Sequence, residues 1–184
     1  LKEAGISLRA LDGIGYGAGP GSFTGLRIAC AVTQGLAFGA DLPVVGVSTL
    51  ESLAAQTGVE RVLTLLDARM TEVYWAAYER DGEDWRTTLA PRLAAPDSVF
   101  VPDAADWAGA GNGFAVLDAG TRAELAARLT QIDETLMPDA AAMAPLAARA
   151  FARGAAADAA AAAPIYLRDK VALTVQERRA KKTA

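Results

Sequence analysis

Two clusters in this sequence have residue types and spacing that could do chemistry. Asp67 closes an apolar run that begins at Arg61, and Glu72 lies a few residues on. Two carboxylates held close together are the raw material of acid–base catalysis. No second functional group stands beside them, and a plainer reading has Asp67 accepting backbone bonds in a turn and pairing with Arg69. The other cluster is Gly19-Pro20-Gly21-Ser22-Phe23-Thr24-Gly25-Leu26-Arg27. Strand-like residues from Ile14 to Gly17 lead into this glycine-proline turn, and a helix begins at Ser22 or Thr24, since either hydroxyl can cap the first free amides. A strand, a glycine turn and a helix N-terminus present backbone donors to an anion. Gly19, Gly21, Ser22, Thr24 and Arg27 are therefore candidates for an anion site. The competing reading is a tight turn that lets helix and strand pack closely. Arg27 stands either as an ordinary surface residue or as a lone charge with a specific carboxylate partner.

What the sequence lacks narrows the chemistry. It contains no histidine, which removes His-based acid–base catalysis, a His-activated serine and His metal ligands together. Lysine occurs only at Lys2, Lys170, Lys181 and Lys182, so no Walker lysine follows the glycine turn. Pro20 stands where a dinucleotide fingerprint needs its third glycine, and Ser22 lacks the glycine spacing of a nucleophile elbow. No catalytic residue and no metal ligand is assigned. The lone cysteine, Cys30, sits among apolar neighbours and is expected to be a small buried thiol.

The elements that position these residues begin with a helix from Thr24 to Gly39, where Gly39 is placed as a left-handed cap. Arg27 is its one charged side chain. At 100° per residue, Gly25, Ile28, Ala29, Val32, Gly35 and Leu36 fill one face. Leu26, Cys30, Ala31, Ala37 and Phe38 fill most of the other, with a narrow strip of Arg27, Thr33 and Gln34 between. A helix apolar nearly all round is covered on both sides. A sheet accounts for one cover, and a second remains to be found.

Pro43 to Val47 is β-branched and short, a buried strand. Ser48 and Glu51 form a capping box for a helix running to about Gln56 and stopping at Gly58. Strand, helix, strand and helix imply a parallel pair with a crossover. Three strands follow, Arg61 to Leu66, Glu72 to Glu79 and Trp85 to Leu89, with Asp81-Gly82 as a hairpin signal. This meander places a domain boundary near Val59. Pro91 to Ala110 is poorly patterned. Trp107 to Val116, with Gly109, Gly111, Asn112 and Gly113, is a loop that either approaches a ligand or turns from strand to helix. Helices are expected at Thr121–Leu129 and Asp139–Arg153. Ala155 to Ala163 is a helix tail or linker, and Pro164 to Asp169 ends the ordered part.

With 184 residues, 52% of them apolar and 22% charged, the chain suits a globular protein with a substantial core. Its net charge of −4 argues against binding nucleic acid alone. The basic group at Arg178, Arg179, Lys181 and Lys182 is taken as a solvated tail. No secretory signal or membrane span is evident, and a cytoplasmic location is expected. Leu1 to Gly5 has the character of the last turn of a helix, as if the beginning of the chain were missing.

Four stretches together resemble the bacterial TsaB family, also called YeaZ. They are Gly19 to Arg27, Val45-Gly46-Val47-Ser48-Thr49-Leu50, Leu66-Asp67-Ala68-Arg69 with Glu72-Val73-Tyr74, and Tyr166-Leu167-Arg168-Asp169. The resemblance implies an α/β, actin-like (ASKHA) fold of two half-domains, the first incomplete at its N-terminus, with residues 1–58 in the first and 59–184 in the second. It implies a non-catalytic subunit in the formation of N6-threonylcarbamoyladenosine in tRNA. The partner is the TsaD-type transferase subunit, with a TsaE-type ATPase in the assembly and tRNA met only through the complex. The family's pairing surface falls on the helix matched here by Thr24 to Phe38, which supplies the missing second cover. The interface candidates are Gly25, Leu26, Ile28, Ala29, Val32, Thr33 and Leu36. If Ala29 instead faces the sheet, Leu26, Cys30 and Ala37 point outward. A homodimer through the same helix is a further expectation. No cofactor of its own is implied, though a nucleotide at the partner interface is allowed.

Family members begin with a strand hairpin and a long helix that have no counterpart here. Two other classes stand as alternatives. An ASKHA-type ATPase or kinase is disfavoured by degenerate phosphate motifs. A peptidase is disfavoured by the absence of histidine and of a nucleophile–base pair.

Overall fold

The computed structural model describes residues 1 and 3–168. The expected basic tail and Asp169 lie outside the described residues. Two sheets organise the chain. The first pairs β1 (Ile14–Gly19) with β2 (Val44–Ser48) in parallel, joined through α1 (Phe23–Ala40), as the strand–helix–strand pattern requires. The second has five strands, in the spatial order Asp84–Ala94, Val73–Asp81, Arg61–Asp67, Trp107–Ala110 and Leu129–Asp133. Here β3 (Arg61–Asp67), β4 (Val73–Asp81) and β5 (Asp84–Ala94) form the expected antiparallel meander. On the other side of β3, β6 (Trp107–Ala110) and β7 (Leu129–Asp133) run parallel to it. Pro91 falls in β5, an edge strand, where a missing backbone donor is tolerated.

Local chemistry explains the element ends. Ser22 caps α1 by accepting the Gly25 amide at 3.3 Å. The expected cap at Gly39 is corrected: the helix continues to Ala40 and ends at Asp41, whose φ of 55° supplies the left-handed turn while Leu42 N–H bonds Ala37 O. Aspartate tolerates that conformation better than most residues. Ser48 caps α2 (Thr49–Ala54) through the Glu51 amide. The short α3 (Ala119–Ala126) and α4 (Ala140–Ala152) start at Asp118 and Asp139, whose carboxylates take the first free amides. At the start of the chain, Gly5 has φ 65° and Ile6 N–H bonds Leu1 O.

Two strands depart from expectation. The stretch read as a loop from Trp107 contains β6, and β7 occupies residues just beyond α3, which stops at Ala126 rather than Leu129. All four β6 residues are buried. A strand covered on both faces carries no alternation to betray it.

The first strand shows why glycine recurs at alternate positions. Gly13, Gly15 and Gly17 share one side of the chain, and α4 lies against it with Phe151, Ala147 and Met143, spaced one helical turn apart. A methyl group on Gly15 would fall on the Ala147 side chain, and one on Gly17 would meet Met143 Cε at 3.2 Å. The chain passes from one sheet to the other between Gly58 and Arg61. Helix α4 and the segment after it return to the first sheet, where Ala157 bridges Val44. One apolar core therefore spans both sheets, with Val45 and Val47 of β2, Leu50 and Leu53 of α2, Val62 and Leu66 of β3, and Leu146 and Ala147 of α4. The opposite face of the larger sheet packs Leu63, Leu65 and Trp75 against Val101, Phe114 and Leu125.

Candidate functional site: the open helix face and the cleft beside it

Helix α1 covers the first sheet with Leu26, Cys30, Thr33 and Ala37, all buried. Burial pushes the Cys30 thiol above its ordinary value, which keeps it a neutral packing group. The opposite face is bare. Ile28 is 59% exposed, Val32 53% and Leu36 43%, with Gly25 and Gly35 exposed between them and Ala29 half-buried at the margin. Of the expected interface residues, Leu26 and Thr33 are therefore corrected to the inner face. Two nearly equal apolar faces cannot be ordered by periodicity; contact with the sheet decides between them. The alternative in which Cys30 and Ala37 point outward is excluded by their burial.

At its N-terminal end α1 opens onto a cleft of about 750 Å³ between the two sheets. Pro20, Gly21, Ser22, Phe23, Gly25 and Leu26 form one wall, while Gly19, Thr24 and Arg27 of the candidate anion turn lie outside the lining. Gly19 holds φ 118°, and a side chain there would meet Ile165 O at 2.9 Å, so only glycine fits. The Thr49 hydroxyl donates to Pro20 O, which pins the turn to the start of α2. Arg27 has no carboxylate partner among the described residues. Its Nε donates to the Tyr166 hydroxyl at 3.1 Å, and its guanidinium lies 3.8 Å from the Phe23 ring centroid.

The facing wall is the turn between β3 and β4. Arg69, Met70 and Thr71 all have positive φ, 62°, 56° and 55°, a conformation costing about 1 kcal/mol or more for each such residue. Polar contacts brace it. Asp67 Oδ1 accepts the Arg69 amide at 2.7 Å, Asp67 Oδ2 lies 3.3 Å from the Arg69 guanidinium, and the Asn112 carbonyl oxygen accepts the Asp67 amide at 3.0 Å. Arg168 donates to Ala68 O at 2.9 Å and pairs with Glu72 at 2.8 Å. Asp67 and Glu72 are thus each engaged by an arginine and do not form a carboxylate dyad. The loop with Gly111 and Asn112 packs on the end of β3: a side chain at Gly111 would collide with Leu65 O. Close approach explains its glycines.

Residues 155–168 strap the parts together. The Tyr16 hydroxyl exchanges bonds with Ala163 N and O, Gln34 reaches Ala162 O at 2.9 Å, and Ile165 N–H bonds Ala18 O at 2.7 Å. The sequence motifs around residues 20, 49, 67 and 168 meet at this one cleft. Met137 and Pro138, which also line it, carried no signal in the sequence.

A three-strand meander extended by two parallel strands, a parallel two-stranded layer beside it and a cleft between them define an actin-like α/β protein of the ASKHA type. The family model described as "TsaD: tRNA N6-adenosine threonylcarbamoyltransferase" matches residues 1–175. The tRNA threonylcarbamoyladenosine biosynthesis protein TsaB of Escherichia coli is 40% identical, with 94% of this chain aligned to 77% of that protein. TsaB of Haemophilus influenzae is 33% identical, with 93% of this chain aligned to 76% of its own. The solved structure of YeaZ from Pseudomonas aeruginosa superposes with a TM-score of 0.82 at 43% identity, covering 90% of this chain and 78% of that one. A second structure from that organism, described as similar to the peptidase YeaZ, gives 0.82 at 42%. The chain belongs to the TsaB family.

Proposed function

We propose that the chain acts in tRNA threonylcarbamoyladenosine biosynthesis as a non-catalytic subunit that binds a TsaD-type transferase through the open face of α1. The observation that carries this reading is the row Ile28, Val32 and Leu36, exposed on a helix whose other face is already buried. A contiguous apolar face of this kind marks an interaction surface, and glycines at 25 and 35 permit close approach by a partner helix. The half containing residues 1–58 presents that surface. A TsaE-type ATPase joins the assembly, tRNA is reached only through the complex, and a nucleotide, where bound, lies at the partner interface. The chain pairs with itself through the same face when the transferase is absent. The non-catalytic role is supported by a sequence without histidine. Among the described residues, moreover, no group of three His, Cys, Asp or Glu side chains is gathered to hold a metal ion. No helix among them is long and apolar enough to cross a membrane. We place the protein in the cytoplasm with the tRNA that the complex modifies.

Co-elution with the transferase subunit of the same cell on size exclusion tests the proposal. A stable complex that Ile28→Glu abolishes, with the variant's circular dichroism unchanged, is the expected result. Failure of the two proteins to associate, or an Ile28→Glu variant that binds as well as the parent, would overturn it. Hydrolysis of ATP or of peptides by the purified chain, lost on a single substitution in the cleft, would overturn the non-catalytic assignment.

A further inference from the structure

Met70 stands apart from the other two of the chain's three methionines. It is 65% exposed, on the middle residue of the turn in which Arg69, Met70 and Thr71 all have positive φ. Its sulfur, a weak acceptor, takes a hydrogen bond from Nη1 of Arg168 at 2.9 Å. Nη2 of the same guanidinium is engaged by Ala68 O and the Glu72 carboxylate, and the Arg168 side chain is largely buried. A side chain open to solvent is thus held at its sulfur by a cation that is itself anchored. Met137 is 51% exposed. Met143 is half-buried, its terminal methyl turned toward Gly17 of β1.

Exposed thioethers are oxidised to sulfoxides, a step that reductases reverse. The one thiol, Cys30, is buried, which leaves the methionines as the sulfur within reach of an oxidant. A thioether sulfur has two lone pairs, and oxygen added at one or the other gives opposite epimers of the sulfoxide. On a freely rotating side chain both lone pairs are reached alike. At Met70 the guanidinium covers one and leaves the other to solvent.

We propose that Met70 is a site of stereoselective, reversible oxidation, in which Arg168 decides which sulfoxide epimer forms. The oxidant is a peroxide. The uncovered lone pair attacks one oxygen of hydrogen peroxide, so that an S–O bond forms as the O–O bond breaks. The proton of the transferred hydroxyl goes to the departing hydroxide, which leaves as water. Sulfur is oxidised by two electrons and the peroxide is reduced by two. The product places a polar, chiral group at the edge of the cleft where a thioether lay, and the reductase specific for that epimer restores the thioether. Neither Met70 nor Arg168 belongs to the open face of α1, so the inference stands independently of partner binding there.

Dilute hydrogen peroxide applied to the whole folded chain, followed by digestion and peptide mass spectrometry, reads oxidation at each methionine. The peptides are then divided between methionine sulfoxide reductases A and B, each of which reduces one epimer. At Met70 one epimer should exceed the other about fivefold, the worth of one ordinary hydrogen bond, so that one reductase clears most of the sulfoxide. At Met137 each reductase should clear about half. The excess at Met70 should vanish when the chain is oxidised unfolded in urea, and in Arg168→Ala shown by circular dichroism to be folded. The urea comparison stands without that variant, should it fail to fold. Equal action of the two reductases on Met70 from the folded parent would overturn the proposal. So would an excess that persists in urea or in folded Arg168→Ala, or a Met70 that resists peroxide while Met137 is oxidised.

Discussion

Arg168 pairs with Glu72, their charged groups 2.8 Å apart, and the same guanidinium donates to Ala68 O at 2.9 Å. A residue near the end of the described chain thereby holds the turn on which three consecutive residues adopt left-handed backbone. The guanidinium fork suits the task because it serves several acceptors in one plane. The Arg168 side chain is only 12% exposed, so these bonds are largely shielded from solvent.

Arg168→Ala should destabilise the protein by about 1–3 kcal/mol, the cost of leaving such acceptors unpaired. Arg168→Lys should recover only part of this, because an ammonium cannot span the same acceptors. Thermal unfolding measures both, and an alanine variant that melts with the parent would show that the turn holds itself.

Substitutions on the two faces of α1 should separate folding from association. Val32→Glu puts a carboxylate on an exposed position and should leave the melting temperature within a few degrees while removing partner binding. Cys30→Glu buries an unpaired charge against the sheet and should cost several kcal/mol, about 3 or more, of stability. Circular dichroism and size exclusion on both variants check the assignment. A folded Cys30→Glu protein would reverse it.

Gly15→Val tests the packing of β1 on α4. Its new methyls meet Ala147 on a helix backbone that cannot yield cheaply, so a loss of about 1–3 kcal/mol or more is expected. Gly35→Ala, on the open face with nothing within 4 Å, serves as the control. It should be neutral or slightly stabilising, since alanine favours helix over glycine by about 1 kcal/mol. Denaturant melts of the pair decide the matter.

A charged cluster joins α2, β5 and α4. Asp84 accepts from Arg149 at 3.0 Å and Arg153 at 2.6 Å, and the bond from Arg153 foremost holds its carboxyl below the ordinary value. Nearby, burial pushes the Glu51 carboxyl above its ordinary value near 4.5, opposed by Arg153 and Arg149 and reinforced by Asp84. A raised carboxyl binds its proton more tightly folded than unfolded. Its contribution is therefore present below about 4.5 and is lost as pH rises through the folded value. Asp84 has the opposite sense: its contribution is present above 3.8 and is lost as pH falls through its lowered value. Glu51→Gln should raise the melting temperature at pH 7 and leave it unchanged at pH 4. A gain of equal size at both pH values would assign the effect to packing rather than ionisation.

By itself the sequence determined the local events and the family. Ser22, Ser48 and Asp139 start helices because a short acceptor side chain precedes free amides, a relation spanning three residues. Asp81-Gly82 turns the meander for the same kind of reason. The motif from Gly19 to Arg27 could be read directly, as could the double apolarity of the helix that follows. Tertiary structure alone decided which face of that helix is bare, because Leu26 and Ile28 are equally apolar and only contact with β1 distinguishes them. It turned Arg27 to Tyr166 and Phe23 rather than to a carboxylate, and it gave Arg168 its place against Glu72. It also made a strand of Trp107 to Ala110, whose four residues pair with β3 from the middle of a sheet. Each of these depends on partners far away in the chain, and neither periodicity nor propensity carries information over that distance.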